Sequence, residues 1–194
     1  MSTENNLQSK DVINFYTQFD LFTTDECKKI LDNVSNLRKT NFTIKLSRKF
    51  IRKGSSMKSQ HLLLEDDTKW IFDRLTKKLS DIFNIEWIST PECVFRYYTK
   101  GDYFLEHKDG VDSKNGYHTP RYFTVSTQLS DTSEYDGGDV IVDRKYVNNK
   151  AVGTASLWGS NLIHEVKEIN KGIRYSLVFF VSTNHISFKN KSII

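Results

Sequence analysis

Hydrophobic residues recur along the chain in two rhythms, and the switch between them divides it. Cys27, Ile30, Leu31, Val34 and Leu37 return every three or four residues, the spacing that lines up one face of an α-helix. Thr23 and Glu26 stand in capping-box spacing at its start, and Lys28, Lys29, Asp32 and Arg38 fall on the opposite face. A second helix is predicted over 67–83, with Trp70, Ile71, Leu75, Leu79, Ile82 and Phe83 on the apolar side and Lys69, Asp73, Arg74, Lys77 and Lys78 facing solvent. Ahead of the first helix, VINFYTQFDLF alternates loosely and predicts a strand. Between the helices, Phe42, Ile44 and Leu46 alternate with Thr43, Lys45 and Ser47 in a half-buried strand pattern.

From Pro91 the helical period does not return. Short apolar or alternating runs follow one another: CVFRYY, DYFLEH, RYFTVSTQL, DVIVDR, AVGTASLW, LIHEVKEI and IRYSLVFFV. Turn signals separate them at Lys100-Gly101, Asn115-Gly116, Gly137-Gly138, Gly159-Ser160 and Lys171-Gly172. About seven or eight strands at this spacing predict a β sandwich or barrel, with the jelly roll a natural candidate. The chain therefore reads as mainly β with flanking helices (α+β), the two helices packed on one outer face. HISFKNKSII at the end is either a short strand or frayed.

Composition adjusts this picture little. A length of 194 residues suits a single domain over 1–194, with residues 1–10 a loose tail and 91–183 the β core. The formal charge of +4 is a small excess with both signs scattered, which speaks to solubility before it speaks to nucleic acid. No apolar run approaches the ~20 residues of a membrane span, and MSTENNLQSK lacks a signal-peptide layout. The expectation is a soluble cytoplasmic protein with no membrane partner. Cys27 and Cys93 provide no disulfide framework and no metal spacing, and read as small buried hydrophobes. The basic cluster Arg48, Lys49, Arg52, Lys53 and Lys58 reads first as a solvated loop and second as a flap over a substrate.

The chemistry gathers around YFLEHKDG. On a strand, the period of two puts His107 and Asp109 on one face. A third candidate ligand, His164, lies in LIHEV. Two histidines and one carboxylate form the facial set of non-haem Fe(II) oxygenases, which leaves positions open for a bidentate organic acid and for O2. Such an acid needs a cation at its far end, and Arg174 offers a two-point fork that a lysine would not. Ser176, two residues on, points to the same side and adds a hydroxyl.

The ordered set Tyr98-x-x-Gly101, His107-x-Asp109, Tyr135-Asp136-Gly137-Gly138, His164-Glu165-Val166 and Gly172-x-Arg174 resembles the Fe(II)/2-oxoglutarate-dependent dioxygenases of the prolyl 4-hydroxylase type, PKHD-type hydroxylases in particular. The resemblance is strong over residues 91–183 and weak before them. It implies a double-stranded β-helix of cupin-like form, with His107 and Asp109 from its second strand and His164 from its seventh binding iron. Arg174 on the eighth strand would hold the distal carboxylate of 2-oxoglutarate, with Tyr98 donating a phenolic hydrogen bond to it. The implied reaction consumes O2 and 2-oxoglutarate, releases succinate and CO2, and hydroxylates an unactivated C–H bond, with ascorbate a candidate reductant. A prolyl or other residue of a peptide or protein is the leading substrate. A nucleobase, with nucleic acid as partner, a free amino acid or a small metabolite is the alternative, and a non-enzymatic metal-binding module the remaining one.

Two departures from the family pattern bear on the site. The distal cation is often lysine in the prolyl hydroxylases, and where the third core strand often carries a tyrosine this chain has Gln128, read either as a donor to the co-substrate or the bound oxygen or as an ordinary strand residue. Trp158, Tyr103, Tyr117 and Arg121 are candidates for the substrate channel or for barrel packing, and His118 for its mouth. His61 and His185 lack a partner at strand spacing. Gly137-Gly138 reads as a turn and not a phosphate loop, because no helix and no lysine-serine pair follows.

Overall fold

One strand, β12 (Ile169–Ser182), is long enough to organise the whole C-terminal half. Its side chains alternate between two environments, and the computed structural model, which describes residues 15–39, 58–62, 67–109, 121–182 and 185–188, shows both of them filled. Leu177, Phe179 and Val181 point to one side and join a core that includes Phe95, Phe123 and Val125 from its neighbours. Arg174, Ser176 and Val178 point to the other side and line a cleft.

The neighbours are β4 (Glu92–Thr99) and β6 (Arg121–Gln128), both antiparallel to β12. Around them the larger sheet runs β1 (Tyr16–Asp20), β10 (Thr154–Gly159), β6, β12, β4 and β2 (Lys58–Leu62), with β7 (Tyr135–Gly137) paired to the start of β12. A smaller antiparallel sheet contains β5 (Phe104–His107), β11 (His164–Val166), β8 (Val140–Val142) and β9 (Tyr146–Val147), in that order. A second apolar cluster, with Tyr98, Phe104, Val142, Trp158 and Val166, unites residues of both sheets. This is the expected jelly-roll sandwich. A separate pair joins β3 (Ile85–Trp87) to β13 (Ile186–Phe188), so the terminal segment does form a strand.

Helix α1 (Thr24–Lys39) opens with the predicted capping box: Glu26 N–H donates to Thr23 Oγ1 at 3.2 Å and Thr23 N–H to Glu26 Oε2 at 2.9 Å. Two orphan amides of the first turn are thereby satisfied. Helix α2 (Lys69–Ile82) starts two residues later than predicted, Asp67 and Thr68 forming a turn. Its Ile71, Phe72, Leu75 and Leu79 join the outer core with Cys27 and Ile30 of α1, and Phe72 meets Phe179 edge-on at 6.2 Å. Both helices thus cover the outer face of the larger sheet, and the Arg74–Glu26 ion pair ties them together. No helix among the described residues is long and apolar enough to cross a membrane.

Cys27 and Cys93 are buried, as their surroundings in the sequence suggested. Burial, with Glu26 adding to it, pushes the Cys27 thiol up to about 12, and burial likewise raises Cys93. The alternating segment at 42–47, the basic cluster from Arg48 to Lys53 and the 1–10 tail lie outside the described residues.

The sequence reading is corrected at Lys171-Gly172. The chain does not turn there: β12 runs through it, and the ladder with β7 shifts register between Ile169 and Lys171. Gly172 has φ +75°, and a Cβ on it would meet the Glu134 carbonyl oxygen at 1.9 Å. The glycine serves a close approach of two strands, two residues before Arg174. Gly172→Ala is expected to lower stability by about 1–3 kcal/mol from the backbone alone, with the steric clash adding to it, read as a lowered midpoint in denaturant unfolding.

Candidate metal and co-substrate site

His107 ends β5 and His164 begins β11, and the two are direct cross-strand partners. The pairing brings the rings to 4.2 Å between centroids. Each ring is packed: His107 stacks on Phe104 at 3.7 Å and His164 lies 4.9 Å from Trp158. Asp109 arrives differently from expectation. The strand stops at His107, and Asp109 sits beyond it, anchored by its N–H to the Ser160 carbonyl at 3.1 Å and by Thr124 Oγ1, which donates to Oδ2 at 2.9 Å. The carboxylate still converges with the histidines: Oδ2 is 3.1 Å from His164 Nε2 and Oδ1 is 3.6 Å from His107 Nε2. One ligand atom from each of the three residues lies within 4.8 Å of the others.

The tautomers follow from the backbone. His107 Nδ1 is 2.8 Å from the Leu105 carbonyl and His164 Nδ1 is 3.0 Å from the Leu162 carbonyl. A carbonyl only accepts, so each Nδ1 carries hydrogen, which leaves Nε2 as the nitrogen each ring turns to the centre. His107 Nε2 is buried with no hydrogen-bond partner, an orphan acceptor that a cation would satisfy. Burial, reinforced by His164, pushes the His107 pKa down to about 4 against the pull of Asp109, so the ring is neutral at physiological pH. Burial alone would raise the Asp109 carboxyl, but His164, His107 and Arg96 outweigh it and hold it below the usual carboxylate range. Lone pairs from imidazole and a buried carboxylate suit a divalent first-row metal. The residues present fit the group.

Beside the triad lies a partly enclosed cleft whose lining includes Tyr98, Trp158, Arg174 and Ser176. Arg174 is 2% exposed. Its Nε donates to Gln128 Oε1 at 3.1 Å and its guanidinium carbon stands 5.5 Å from the Tyr98 ring centre. Among the described residues no carboxylate pairs with it. A buried arginine without an acid is costly, and here its fork edge is left for an anion. Ser176 Oγ, on the same face, is also buried without a partner.

Gln128 takes a different part from the one the sequence suggested. Its amide nitrogen donates to the Ser130 carbonyl at 2.9 Å and to the Tyr135 hydroxyl at 3.0 Å. Both hydrogens are occupied, so Gln128 orients Arg174 and has no donor left for a co-substrate or for the bound oxygen. Gly138 explains the rest of the Tyr-Asp-Gly-Gly motif: at φ +66°, a Cβ there would meet Arg174 Cδ at 3.0 Å and Ile169 Cδ1 at 2.4 Å. Tyr135 thus supports Gln128, and the second glycine clears space for the arginine.

Of the channel candidates, Trp158 lines the cleft with its Nε1 buried and unpartnered. Arg121 is engaged by Glu92 at 2.8 Å and lies over Phe180 at 3.7 Å, and Tyr103 is half-buried outside the lining. Tyr117 and His118 lie outside the described residues. His61 falls in β2, opposite Val94 of β4, and His185 accepts from the Ser182 N–H at 3.0 Å before β13. The sequence reading missed Arg96 and Thr124. Arg96 stands two residues before Tyr98, so the period of two on β4 was a signal that could have found it.

Comparison with known proteins agrees with this geometry. Residues 93–182 match the model of the 2OG-Fe(II) oxygenase superfamily. Among curated proteins it is similar to a PKHD-type hydroxylase of Caulobacter sp. (strain K31), 28% identical over 96 residues, 46% of this chain and 42% of that one. A PKHD-type hydroxylase of Cupriavidus metallidurans matches at the same identity and coverage. The matched stretch is thus under half the length of these relatives. A prolyl-4-hydroxylase from Pseudomonas putida shares the fold, with a TM-score of 0.67, 14% identity and coverage of 89% of this chain and 96% of that one. So does a Trichoplax adhaerens prolyl hydroxylase solved with a hypoxia inducible factor peptide fragment, with a TM-score of 0.64, 17% identity and coverage of 89% and 88%.

Mn(II) is expected to raise the thermal unfolding midpoint of the native protein, by about 2.7 kcal/mol of stabilisation at 100 times its Kd. In Asp109→Ala the metal-dependent shift should vanish, as checked by calorimetry with and without chelator.

Proposed function

We propose that the protein is an Fe(II)- and 2-oxoglutarate-dependent dioxygenase that hydroxylates an unactivated C–H bond, with a prolyl residue of a peptide or protein as the leading substrate. The observation that carries this reading is the conjunction on one cleft of an orphan His107 Nε2 and a buried, acid-free Arg174. The first calls for a metal and the second for an organic anion, and few chemistries need both.

His107, Asp109 and His164 would hold Fe(II) on one face. Arg174 would bind the distal carboxylate of 2-oxoglutarate through its terminal nitrogens, while Gln128 fixes the plane of the guanidinium through Nε. Ser176 Oγ and the Tyr98 hydroxyl are the further donors proposed for the same carboxylate. Fe(II) and 2-oxoglutarate, when bound with O2, supply the oxidising power, and succinate and CO2 are the co-products. The chain contributes position and dryness: Phe104, Trp158 and Val166 wall the cleft with apolar surface, and packing around both imidazoles keeps their lone pairs aimed. The prolyl reading is supported by the PKHD-type relatives and by the prolyl hydroxylase structures that share the fold.

Turnover of 2-oxoglutarate to succinate in the presence of Fe(II), O2 and ascorbate tests the activity, and addition of one oxygen to proline-containing peptides, read by mass, tests the substrate. His107→Ala should abolish succinate formation; unchanged turnover would overturn the assignment. Arg174→Ala should weaken 2-oxoglutarate binding by about 1.5–3 kcal/mol, the range for hydrogen bonds to charged groups, or roughly 10- to 150-fold, measured by titration of the Mn(II)-loaded protein.

A further inference from the structure

The cleft holds a second arginine besides Arg174. Arg96 lies on β4 directly across from Ser176 on β12, one step along the strand face from the Tyr98–Arg174 pair. It lines the same cleft as His107 and His164. Its guanidinium is held between two rings, 5.6 Å from Phe104 and 5.5 Å from Phe180. Its Nε is buried with no hydrogen-bond partner, and among the described residues no carboxylate pairs with it. Packing alone does not account for an arginine here, since Val94 and Val178 fill neighbouring positions of the same inner face. A cation–π contact uses the charge of a guanidinium without spending its N–H donors.

Charge points the same way. Arg96 and Arg174 are positive, Asp109 is negative and both histidines turn Nε2 towards the metal position. A divalent metal and the 2-oxoglutarate dianion cancel one another. Among the described residues of the cleft and triad one positive charge is left over, and away from bulk water it is worth neutralising.

We infer that Arg96 is a substrate-recognition residue, and that the molecule oxidised here carries a carboxylate close to the carbon that is hydroxylated. The inference rests on the dioxygenase reading above and narrows its substrate class. The carboxylate has two sources, the terminal carboxylate of an amino acid or peptide and an acidic side chain beside the oxidised residue. Both offer two oxygens to the fork of one guanidinium.

The test uses the whole protein loaded with Mn(II) and 2-oxoglutarate, which binds without turning over, and measures dissociation constants by calorimetry for two probe pairs. N-acetyl-proline against N-acetyl-prolinamide reports a terminal carboxylate. Acetyl-Gly-Pro-Asp-amide against acetyl-Gly-Pro-Asn-amide reports a side-chain carboxylate. In at least one pair the acid is expected to bind about 10-fold more tightly or better, the factor a charge-assisted hydrogen bond carries. Arg96→Gln should erase that preference and leave 2-oxoglutarate affinity within about twofold, a split that general misfolding would not produce. Arg96→Lys, which keeps the charge and loses the fork, should retain part of it. Equal binding of acid and amide in both pairs, or a preference that survives Arg96→Gln, would overturn the inference. Loss of 2-oxoglutarate affinity in Arg96→Gln would overturn it too, by moving Arg96 into the co-substrate pocket. Should the native protein fail to bind 2-oxoglutarate yet keep an Arg96-dependent acid preference, the dioxygenase reading falls and the recognition role stands.

Discussion

A guanidinium buried in the middle of a sheet is the constraint around which this site is arranged. Arg174 is almost wholly removed from water without an acidic partner among the described residues, a condition that costs several kcal/mol unless an anion or a set of dipoles compensates. The chain spends several otherwise unrelated residues on it. Gln128 accepts from its Nε, Tyr135 and the Ser130 carbonyl hold Gln128, Tyr98 offers a ring face, and Gly138 withdraws a Cβ that would collide with its stem. The compensation is partial by construction. It fixes one edge of the guanidinium and leaves the other open, which is what a binding group needs and a purely structural one avoids.

The metal triad follows the same logic with a different backbone device. Two histidines brought into register across β5 and β11 would repel if both were charged, and burial of His107 keeps it neutral. The carbonyls of Leu105 and Leu162, each two residues before its histidine, set the tautomer. This device is local, set within two residues of each histidine. Asp109 requires distant support, since it lies past the strand end and depends on Ser160 and Thr124, from two other segments, for its position. The triad is therefore half local and half tertiary.

That division explains what was legible in the sequence. Periodicity found both helices and the capping box at Thr23 and Glu26, and short apolar or alternating runs between turn signals found what became β4, β5, β6, β8, β10, β11 and β12. It misplaced the start of β12, because a glycine serving a close contact looks like a glycine serving a turn. β7 was missed because Tyr135-Asp136-Gly137 runs into the glycine pair that reads as a turn, and β9 because Tyr146-Val147 is two exposed residues long. The candidate ligands and Arg174 were visible through their order and residue types. The part taken by Gln128 was not, since both amide hydrogens are occupied by partners that only the folded chain brings near, one of them the side chain of Tyr135. Arg96 was overlooked for a related reason: an arginine on a strand reads as a solvated charge until its neighbours are known.

The alternation of β12 also separates what the protein needs to fold from what it needs to act. Leu177, Phe179 and Val181 face the helices and carry the packing, while Arg174 and Ser176 face the cleft, Ser176 with a buried hydroxyl that has no partner. Neighbouring residues on one strand thus belong to opposite sides of the stability balance. The inner side keeps a buried charge and an orphan hydroxyl, which lower stability, and the outer apolar face, stapled by two amphipathic helices, offsets that cost. Such an arrangement ties the two N-terminal helices to function without placing either of them near the cleft. They let the larger sheet tolerate an interior as polar as the proposed metal and co-substrate site.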